Sequence, residues 1–355
     1  MRNKSIAQDR TVLVGVDVHT KSHVVAVKVN GEIAQRRTLV PSREQWRCFL
    51  EQFPGCEVHV IYESGPHGYN LHDWLMEMNG QLEGTAVFVH IAPPANVPVQ
   101  PGKRRVKTDR RDSVRLIQAF EMGSFEDVVV PDKGLRAQRE LVRTRLRLKG
   151  EEKRLKNEIH GLVKYHGIEY PDKALRKWSE PWRRQLVANA KVVDGDVVMC
   201  VRLQLKVLGE IQKAVVVIEK KIASLYRRGS RCEIAQRIGG HKGIGIHGAM
   251  VIATEVADFG AFRNSDAFAS YTGLVPGESS SGEVVRRGGI TKEGNRRLRW
   301  IFVECAWAWV RYDREARERF YRLSCRKGKR KAIVAMARRL AVAVYHRARS
   351  NSVAA

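Results

Sequence analysis

Cysteine pairs, long hydrophobic runs and acidic residues are scarce in this sequence, and each shortage excludes a class of protein. The 6 cysteines stand far apart, without the CxxC pairs of a zinc site or the spacing of a disulfide framework, so reduced thiols are expected. The apolar runs are much shorter than the roughly 18 residues that cross a bilayer, so no membrane span is expected. The polar start of the chain, Met1–Arg10, lacks an export signal, which predicts a cytoplasmic protein.

The shortage of acidic residues leaves a large positive charge. The 355 residues include 64 Lys and Arg against 38 Asp and Glu, which gives a formal net charge of +26. An ordinary metabolic enzyme of this size has no need of such an excess, whereas a protein that binds a polyanion does. Nucleic acid is therefore the expected partner.

The N-terminal third of the chain alternates between β-rich and helical patterns. Three strands are predicted first, and the second of them ends in Asn30-Gly31, the strongest short hairpin signal. A helix from Ser42, a strand, a helix, a strand and a basic helix follow. The segments besides that first helix are Thr11–His19, Ser22–Asn30, Glu32–Val40, Glu57–Glu63, His67–Met78, Ala86–Ile91 and Lys107–Met122. This β-β-β-α-β-α-β-α order is the one that an RNase H-like fold requires, so residues 1–130 are predicted to form an α/β domain of that type.

Two hydrophobic ladders predict long helices in the middle of the chain. Leucines recur every seven residues in the first, and apolar residues alternate steps of three and four in the second, a spacing typical of a coiled coil. The ladders are Leu141, Leu148, Leu155 and Leu162, and then Leu208, Ile211, Val215, Ile218, Ile222 and Leu225. Residues 131–230 are therefore predicted to form a helical coiled-coil domain, and residues 231–355 a mainly helical C-terminal domain with a basic tail.

Four carboxylates are candidates for one catalytic site. Asp17 and Glu63 end two predicted strands, and Asp109 and Asp112 stand three residues apart at the start of the basic helix, on one helical face. Asp109 and Asp112 are also consistent with ordinary acids in the first turn of a helix, and Glu63 with a solvated strand end. Asp17 is harder to explain in this way, because it interrupts an apolar strand, where a carboxylate is costly to bury. Four carboxylates in one cleft would repel each other unless divalent cations lie between them. The set predicts a site for Mg²⁺ (or Mn²⁺) and phosphoryl-transfer chemistry.

Two glycine-flanked segments and one aromatic run stand out in the C-terminal third. The serines Ser279–Ser281 lie between glycines, which by composition favours a flexible polar turn. The turn at Ile238–Gly245 looks like the hairpin of a helix-hairpin-helix element, with phosphate contacts at Lys242, Gly243 and Gly245, although a plain turn is the alternative. The aromatic run is predicted to be core packing, and its members are Trp300, Phe302, Trp307 and Trp309.

Four motifs, in the same order along the chain, carry a resemblance to a known family. They are VGVDVHTK around Asp17, YESGPHGY around Glu63, KTDRRDS around Asp109 and Asp112, and YTGLVPGESSSG with RRGGITKEGNRRLR towards the C-terminus. The chain resembles the DEDD transposases of the one-ten family of insertion sequences, relatives of the Piv-type DNA invertases. One departure is Ser113, which stands where the family usually has alanine.

The resemblance implies a recombinase with a RuvC-like, Mg²⁺-binding domain, a coiled-coil spacer and a C-terminal domain that supplies a nucleophilic serine. That serine corresponds to Ser281, with Ser280 as the second choice, and its attack on DNA would leave a covalent phosphoserine link. The resemblance also implies a structured guide RNA, donor and target DNA as substrates, and a homo-oligomer, dimer or tetramer, in the nucleoid of a prokaryotic cell.

Basic residues near these motifs are predicted to bind nucleic acid through backbone phosphates. Besides the glycine turn, the set is Lys107, Arg110, Arg111, Arg286, Arg287, Lys292, Arg296, Arg297, Lys329 and Lys331. Two other functions remain open: a protein-only invertase or junction-resolving nuclease that uses the same carboxylates without RNA, and a binding protein without catalysis.

Overall fold

The computed structural model describes residues 11–94, 97, 109–278 and 287–350, with the backbone alone at 109, 110, 278 and 287. The chain divides into two compact units, Met1–Val130 and Pro131–Ala355. None of the helices in the described ranges is long and apolar enough to cross a membrane. All 6 cysteines are free thiols.

In the described part of the first unit, the strands form a five-stranded mixed sheet. Its strands are β1 (Thr11–Val18), β2 (His23–Val29), β3 (Glu32–Leu39), β4 (Glu57–Glu63) and β5 (Ala86–Ala92), in the spatial order β3-β2-β1-β4-β5. β1 pairs antiparallel with β2 and parallel with β4, and β4 pairs parallel with β5. The predicted strands are confirmed, and the mixed α/β architecture is compatible with an RNase H-like domain.

Helices cover both faces of this sheet because its central strands are apolar on both sides. On one face Val14 and Val60 pack with Trp46 of α1 (Arg43–Leu50) and Leu75 of α2 (Asn70–Met78). On the other face Ala26 and Ile61 pack with Ile117 of α3 (Asp109–Glu121). Lys28 on β2 ties the end of α3 to this face through an ion pair with Glu121, 2.6 Å between Nζ and Oε1.

The position of α3 depends on Gly15 in the middle of β1. A Cβ atom at Gly15 would lie 1.9 Å from the carbonyl oxygen of Ser113 and 2.9 Å from a side-chain carbon of Ile117. Real atoms never approach so closely, so any side chain at this position would push α3 away from the sheet. The missing side chain therefore sets the distance between helix and strand.

Two long helices begin the second unit. α4 (Lys133–Tyr165) packs along α6 (Gly195–Arg228), and the Trp-rich segment between them contains α5 (Glu180–Ala190). A shared cluster contains Leu155 and Leu208 from the two ladders, together with Trp182 of α5. The two helices are confirmed, and both ladders are buried or half-buried within the chain. The coiled-coil geometry and the boundary at residue 230 stay predictions.

The described residues of this unit contain six further helices and a short β ribbon. They are α7 (Cys232–Gly239), α8 (Ile246–Glu255), α9 (Ser265–Tyr271), β6 (Pro276–Glu278), β7 (Arg287–Ile290), α10 (Arg296–Tyr312), α11 (Arg314–Lys327) and α12 (Lys329–Arg349). The core is built around α8, which is buried from Gly248 to its end and is packed by α4, α10 and α7.

The aromatic run on α10 faces two ways. Phe302 is fully buried, as predicted, but the side chains of Trp300 and Trp307 are 47% and 45% exposed. The packing prediction is wrong for these two tryptophans. Buried positions on α10 recur at Leu298, Ile301, Phe302, Cys305, Ala306 and Val310, so the helical period turns positions 300 and 307 to the opposite side.

Replacing Gly15 by alanine should destabilise the protein. The added methyl group overlaps Ser113, and overpacking of this kind costs about 1–3 kcal/mol. The free energy of unfolding in urea measures the effect. Gly150→Ala in α4 is the control, because its Cβ would meet nothing within 4 Å and the change should raise helix stability by up to about 1 kcal/mol. Equal stability of Gly15→Ala and wild type would contradict the close approach of α3.

His23 should make the stability of the protein pH-dependent. Burial, followed by the positive charges of His67 and His19, lowers the pKa of His23 from 6.5 to about 4, and its Nδ1 accepts a hydrogen bond of 2.9 Å from Trp46 Nε1. Between these two pH values the unfolded chain binds a proton that the folded chain does not. The free energy of unfolding should therefore fall as the pH drops below 6.5, by about 2 kcal/mol at pH 5.

Urea unfolding of wild type and His23→Gln over this pH range isolates the contribution of His23. Glutamine can still accept the Trp46 hydrogen bond but does not titrate, so the variant should lose that part of the pH dependence. Parallel stability curves for the two proteins would show that His23 is not the responsible group.

Candidate active site and nucleic-acid interface

The C-terminal ends of β1 and β4 bring two of the predicted carboxylates together. Val16 pairs with Tyr62 in the parallel register, so Asp17 and Glu63, which follow them, are neighbours on adjoining strands. Asp112 on the first turn of α3 reaches the same place, because Gly15 allows α3 to lie against β1. Asp17, Glu63 and Asp112 all line one cleft of about 790 Å³.

Two of these carboxylates lie beside basic side chains. Oδ2 of Asp17 is 3.3 Å from Nε2 of His19, and Oδ1 of Asp112 is 3.1 Å from a guanidinium nitrogen of Arg115. Arg115 also donates to the carbonyl of Val97 at 3.4 Å. The guanidinium of Arg115 fixes the position of the Asp112 carboxylate and offsets part of the repulsion between the acids.

The oxygen-only donor set suits Mg²⁺ or Mn²⁺, which prefer carboxylate ligands. In the described part of the chain no three His, Cys, Asp or Glu side chains converge closely enough to hold a metal ion. The fourth predicted ligand, Asp109, begins α3, but its side chain lies outside the described residues. The assignment of the four carboxylates to a metal site therefore stays a prediction.

Sequence reasoning missed the histidines of this cleft. His19, His23 and His67 line it together with the carboxylates. The signal was present in VDVHTKSH and SGPHG, where polar residues follow the ends of β1 and β4. Because strand ends meet at one edge of a sheet, such residues belong to the same cleft as the acids.

The serine motif lies between the two strands of a β ribbon. β6 and β7 pair antiparallel, with Pro276 opposite Ile290. The segments that precede and follow the serines in the sequence are therefore neighbours in space. The candidate nucleophiles Ser280 and Ser281 lie outside the described residues, as does Arg286.

Close backbone contacts hold the base of this ribbon together. A Cβ at Gly273 would lie 2.1 Å from the carbonyl oxygen of Glu293, and one at Gly294 would lie 2.1 Å from that of Tyr271. The amide of Asn295 also donates to the Tyr271 carbonyl at 2.8 Å. The glycines of YTGLVPG and TKEGN are therefore required by packing between the two motifs.

A buried carboxylate that the sequence analysis missed supports the start of α10. Glu255, 3% exposed, accepts two hydrogen bonds from Arg143, at 2.7 and 2.9 Å, and one of 3.0 Å from Asn295 Nδ2. Burial raises the pKa of Glu255, but these bonds outweigh it and lower the pKa below its usual value. Asn295 Oδ1 caps α10, so Glu255 fixes the helix end next to the serine motif. No single-residue pattern marks this role, because Arg143 is 112 residues away.

The basic residues after the serine motif are open to solvent. Lys292, Arg296 and Arg297 are exposed, and Arg297 Nε lies 4.0 Å from Glu255. Exposed as well are Arg111 on α3 and Lys329 and Lys331 at the start of α12. Lys107 and the side chains of Arg110 and Arg287 lie outside the described residues. Exposed cations of this kind are able to contact phosphates, and their predicted role is not contradicted.

The glycine turn joins α7 to α8, as a hairpin between two helices does. Gly243 has φ of +92°, and a Cβ there would lie 2.5 Å from the backbone nitrogen of Trp309, so packing against α10 by itself requires glycine at this position. Lys242 is exposed and forms an ion pair of 3.2 Å with Asp313. The helix-hairpin-helix assignment and the phosphate contacts of Lys242, Gly243 and Gly245 stay predictions.

Comparison with known proteins places both units in one group of enzymes. A DEDD transposase model of the IS110 type matches residues 14–167, and the model described as the transposase IS116/IS110/IS902 family matches residues 235–322. The first match includes all four predicted carboxylates, and the second includes the serine motif and the basic residues that follow it.

Three similar proteins have names that describe them as transposases. The protein y4qE of Sinorhizobium fredii, whose name places it among transposases, is 30% identical over 90% of this chain and 77% of its own length. The transposase for insertion sequence element IS1328 of Yersinia enterocolitica is 26% identical over 83% of this chain and 82% of its own. The transposase for insertion sequence element IS1111A of Coxiella burnetii is 26% identical over 70% of this chain and 68% of its own. The chain therefore belongs to the IS110 family of transposases, as its motifs predict.

Proposed function

We propose that this transposase is a site-specific recombinase that cuts and rejoins DNA with four carboxylates and a serine nucleophile, guided by a structured RNA. The observation that carries the proposal is that Asp17, Glu63 and Asp112 line one cleft within the segment that matches the DEDD transposases. Acids that share a cleft cost free energy in a protein with no use for them, because like charges repel.

The proposed metal ligands are Asp17, Glu63, Asp109 and Asp112. When bound, Mg²⁺ or Mn²⁺ supplies positive charge at the phosphate and stabilises the attacking and leaving oxygens. Arg115 orients the Asp112 carboxylate, and Nε2 of His19 lies 3.3 Å from that of Asp17. The guanidinium contact is at ion-pair distance, so the Asp112 carboxylate is held in place before substrate binds.

The covalent step is assigned to Ser281. Its Oγ would attack a DNA phosphate, forming an O–P bond as the bond to the leaving strand breaks and that strand takes up a proton as a free hydroxyl. A phosphoserine diester keeps the bond energy of the phosphodiester, so rejoining needs no external energy source. The matched transposase segment and the glycine contacts at the base of the ribbon support this assignment.

The net charge of +26 supports the proposed partners, donor and target DNA and a guide RNA. A dimer or tetramer is the proposed assembly, because two DNA partners must be cut and exchanged, and the prokaryotic cytoplasm is the proposed location. A protein-only invertase or a RuvC-like nuclease is the second candidate, since either would use the same cleft. RNA that co-purifies with the chain favours the guided recombinase, and its absence favours the second candidate.

Neutral replacements of the carboxylates should abolish cleavage without abolishing binding. Asp17→Asn, Glu63→Gln and Asp112→Asn should each lower Mg²⁺-dependent cleavage of labelled DNA at least about 100-fold, because each removes a charged ligand. Affinity for DNA should stay within a few-fold of wild type, because it comes from lysine and arginine contacts to phosphate.

Glu57→Gln is the matched control, because Glu57 lies at the opposite end of β4 from Glu63 and outside the cleft lining. It should cleave DNA like wild type. Wild-type cleavage by Asp17→Asn would overturn the assignment of the carboxylates, and equal losses in Glu57→Gln would point to a folding defect instead.

Removal of one hydroxyl should separate a recombinase from a metal-dependent nuclease. If Ser281 is the nucleophile, Ser281→Ala should form no protein-linked DNA strand, whereas Ser280→Ala should keep most of the adduct. A denaturing gel of labelled DNA with and without protease treatment detects the adduct. Undiminished cleavage by Ser281→Ala with free DNA ends would favour hydrolysis by water, and loss in Ser280→Ala alone would move the assignment to Ser280.

A further inference from the structure

Large aromatic side chains are exposed where α10 meets α11. Trp307 is 45% exposed and Tyr321 is 58% exposed. They line one shallow depression with Val310, Arg311 and Arg317. We call these five residues the aromatic face. It lies within the second unit, apart from the serine motif in sequence.

The aromatic face is held in a fixed geometry. Trp307 packs edge-on against the buried ring of Phe320, with 5.5 Å between ring centroids, so one side of the indole contacts the core. Nε of Arg317 donates to the carbonyl of Val310 at 3.3 Å, and its NH2 group donates to the carbonyl of Arg311. Asp313, between the helices, caps α11 by accepting from the amide of Ala316. The rings and the guanidinium of Arg317 are thus placed before any ligand arrives.

The charge around the aromatic face identifies the kind of ligand. α11 has basic residues at Arg314, Arg317, Arg319, Arg322, Arg326 and Lys327, against the two acids Glu315 and Glu318. Arg314 pairs with Glu318 at 3.0 Å, and the other basic side chains on this helix, like Arg311 on α10, are exposed. Self-association through this face would bring the exposed arginines of two copies together, and a neutral apolar peptide would leave the arginines without counter-charges.

Exposed rings interleaved with arginines favour one ligand chemistry. Bases stack on aromatic side chains while arginines contact the phosphates between them. Stacking needs bases whose faces are open, and a duplex hides them, so an unpaired strand fits and a double helix does not.

We propose that the aromatic face binds single-stranded nucleic acid, with bases on Trp307 and Tyr321 and phosphates on Arg311 and Arg317. The inference rests on the proposed function and extends it, because it gives the transposase a place for an unpaired segment of RNA or opened DNA. Both sources present the same bases and phosphates, and parallel RNA and DNA probes tell them apart.

The test measures the affinity of the full-length protein for a fluorescent 20-nucleotide single strand, as RNA and as DNA, and for the matching duplex. EDTA is present, so that neither metal nor cleavage contributes. Trp307→Ala and Tyr321→Ala should each weaken binding of at least one single strand about 5- to 150-fold and leave the duplex affinity within about 2-fold.

Salt dependence separates stacking from charge. The aromatic variants should keep the wild-type slope of log affinity against log salt concentration, whereas Arg311→Gln should reduce that slope by about 0.7 because one phosphate contact is lost. Trp307→Phe should restore most of the affinity lost in Trp307→Ala. Tyr165→Ala is the control, because Tyr165 is 86% exposed on α4, outside the aromatic face, and its loss should change nothing.

Three results would overturn the proposal: unchanged single-strand affinity in both aromatic variants, equal losses for single strand and duplex, or a change of oligomeric state in Trp307→Ala by sedimentation. The last result would identify the ligand as a second copy of the chain. Circular dichroism confirms that each variant is folded. The binding assay contains EDTA and measures no cleavage, so a failure of the catalytic assignment and a failure of the aromatic face are distinguishable.

Discussion

The close approach of α3 to β1 at Gly15 is the constraint on which the candidate active site depends. Because position 15 has no side chain, the Ser113 carbonyl oxygen lies only 1.9 Å from the position that a Cβ would take, and α3 lies directly on the sheet. Asp112 is then brought to the cleft that Asp17 and Glu63 line. The ion pair between Lys28 and Glu121 holds the far end of the same helix. A glycine two residues before a strand carboxylate thus decides whether the acids of strand and helix share one cleft.

Two acids of the second unit are held in place by basic and amide groups. Glu255 accepts from Arg143 and Asn295 and so supports the helix next to the serine motif. In the helical unit, Glu152 accepts from Lys149, Lys156 and Gln212; burial raises its pKa, but these bonds lower it to about 2.

The elements of the first unit were predictable because their signals are local. Period-two runs mark the strands, Asn30-Gly31 marks the hairpin, and Ser42 caps α1 through a hydrogen bond to the Gln45 amide. The exposure of Trp307 was not predictable in this way, because an apolar run on a helix has two sides and only the neighbouring helices decide which one is covered. The role of Glu255 was hidden for a related reason, since its partners come from other elements of the chain.

The sequence by itself determined the family, the strand and helix order of the first unit, the excess of positive charge and the identity of the acids, because motifs, periodicity and composition are properties of neighbouring residues. Tertiary structure decided which acids share a cleft, which histidines join them, and which aromatic rings stay exposed. Those outcomes depend on how closely α3 approaches β1 and how α11 crosses α10. Such distances are set by side-chain volume and by contacts between residues far apart in the chain, which no local pattern encodes.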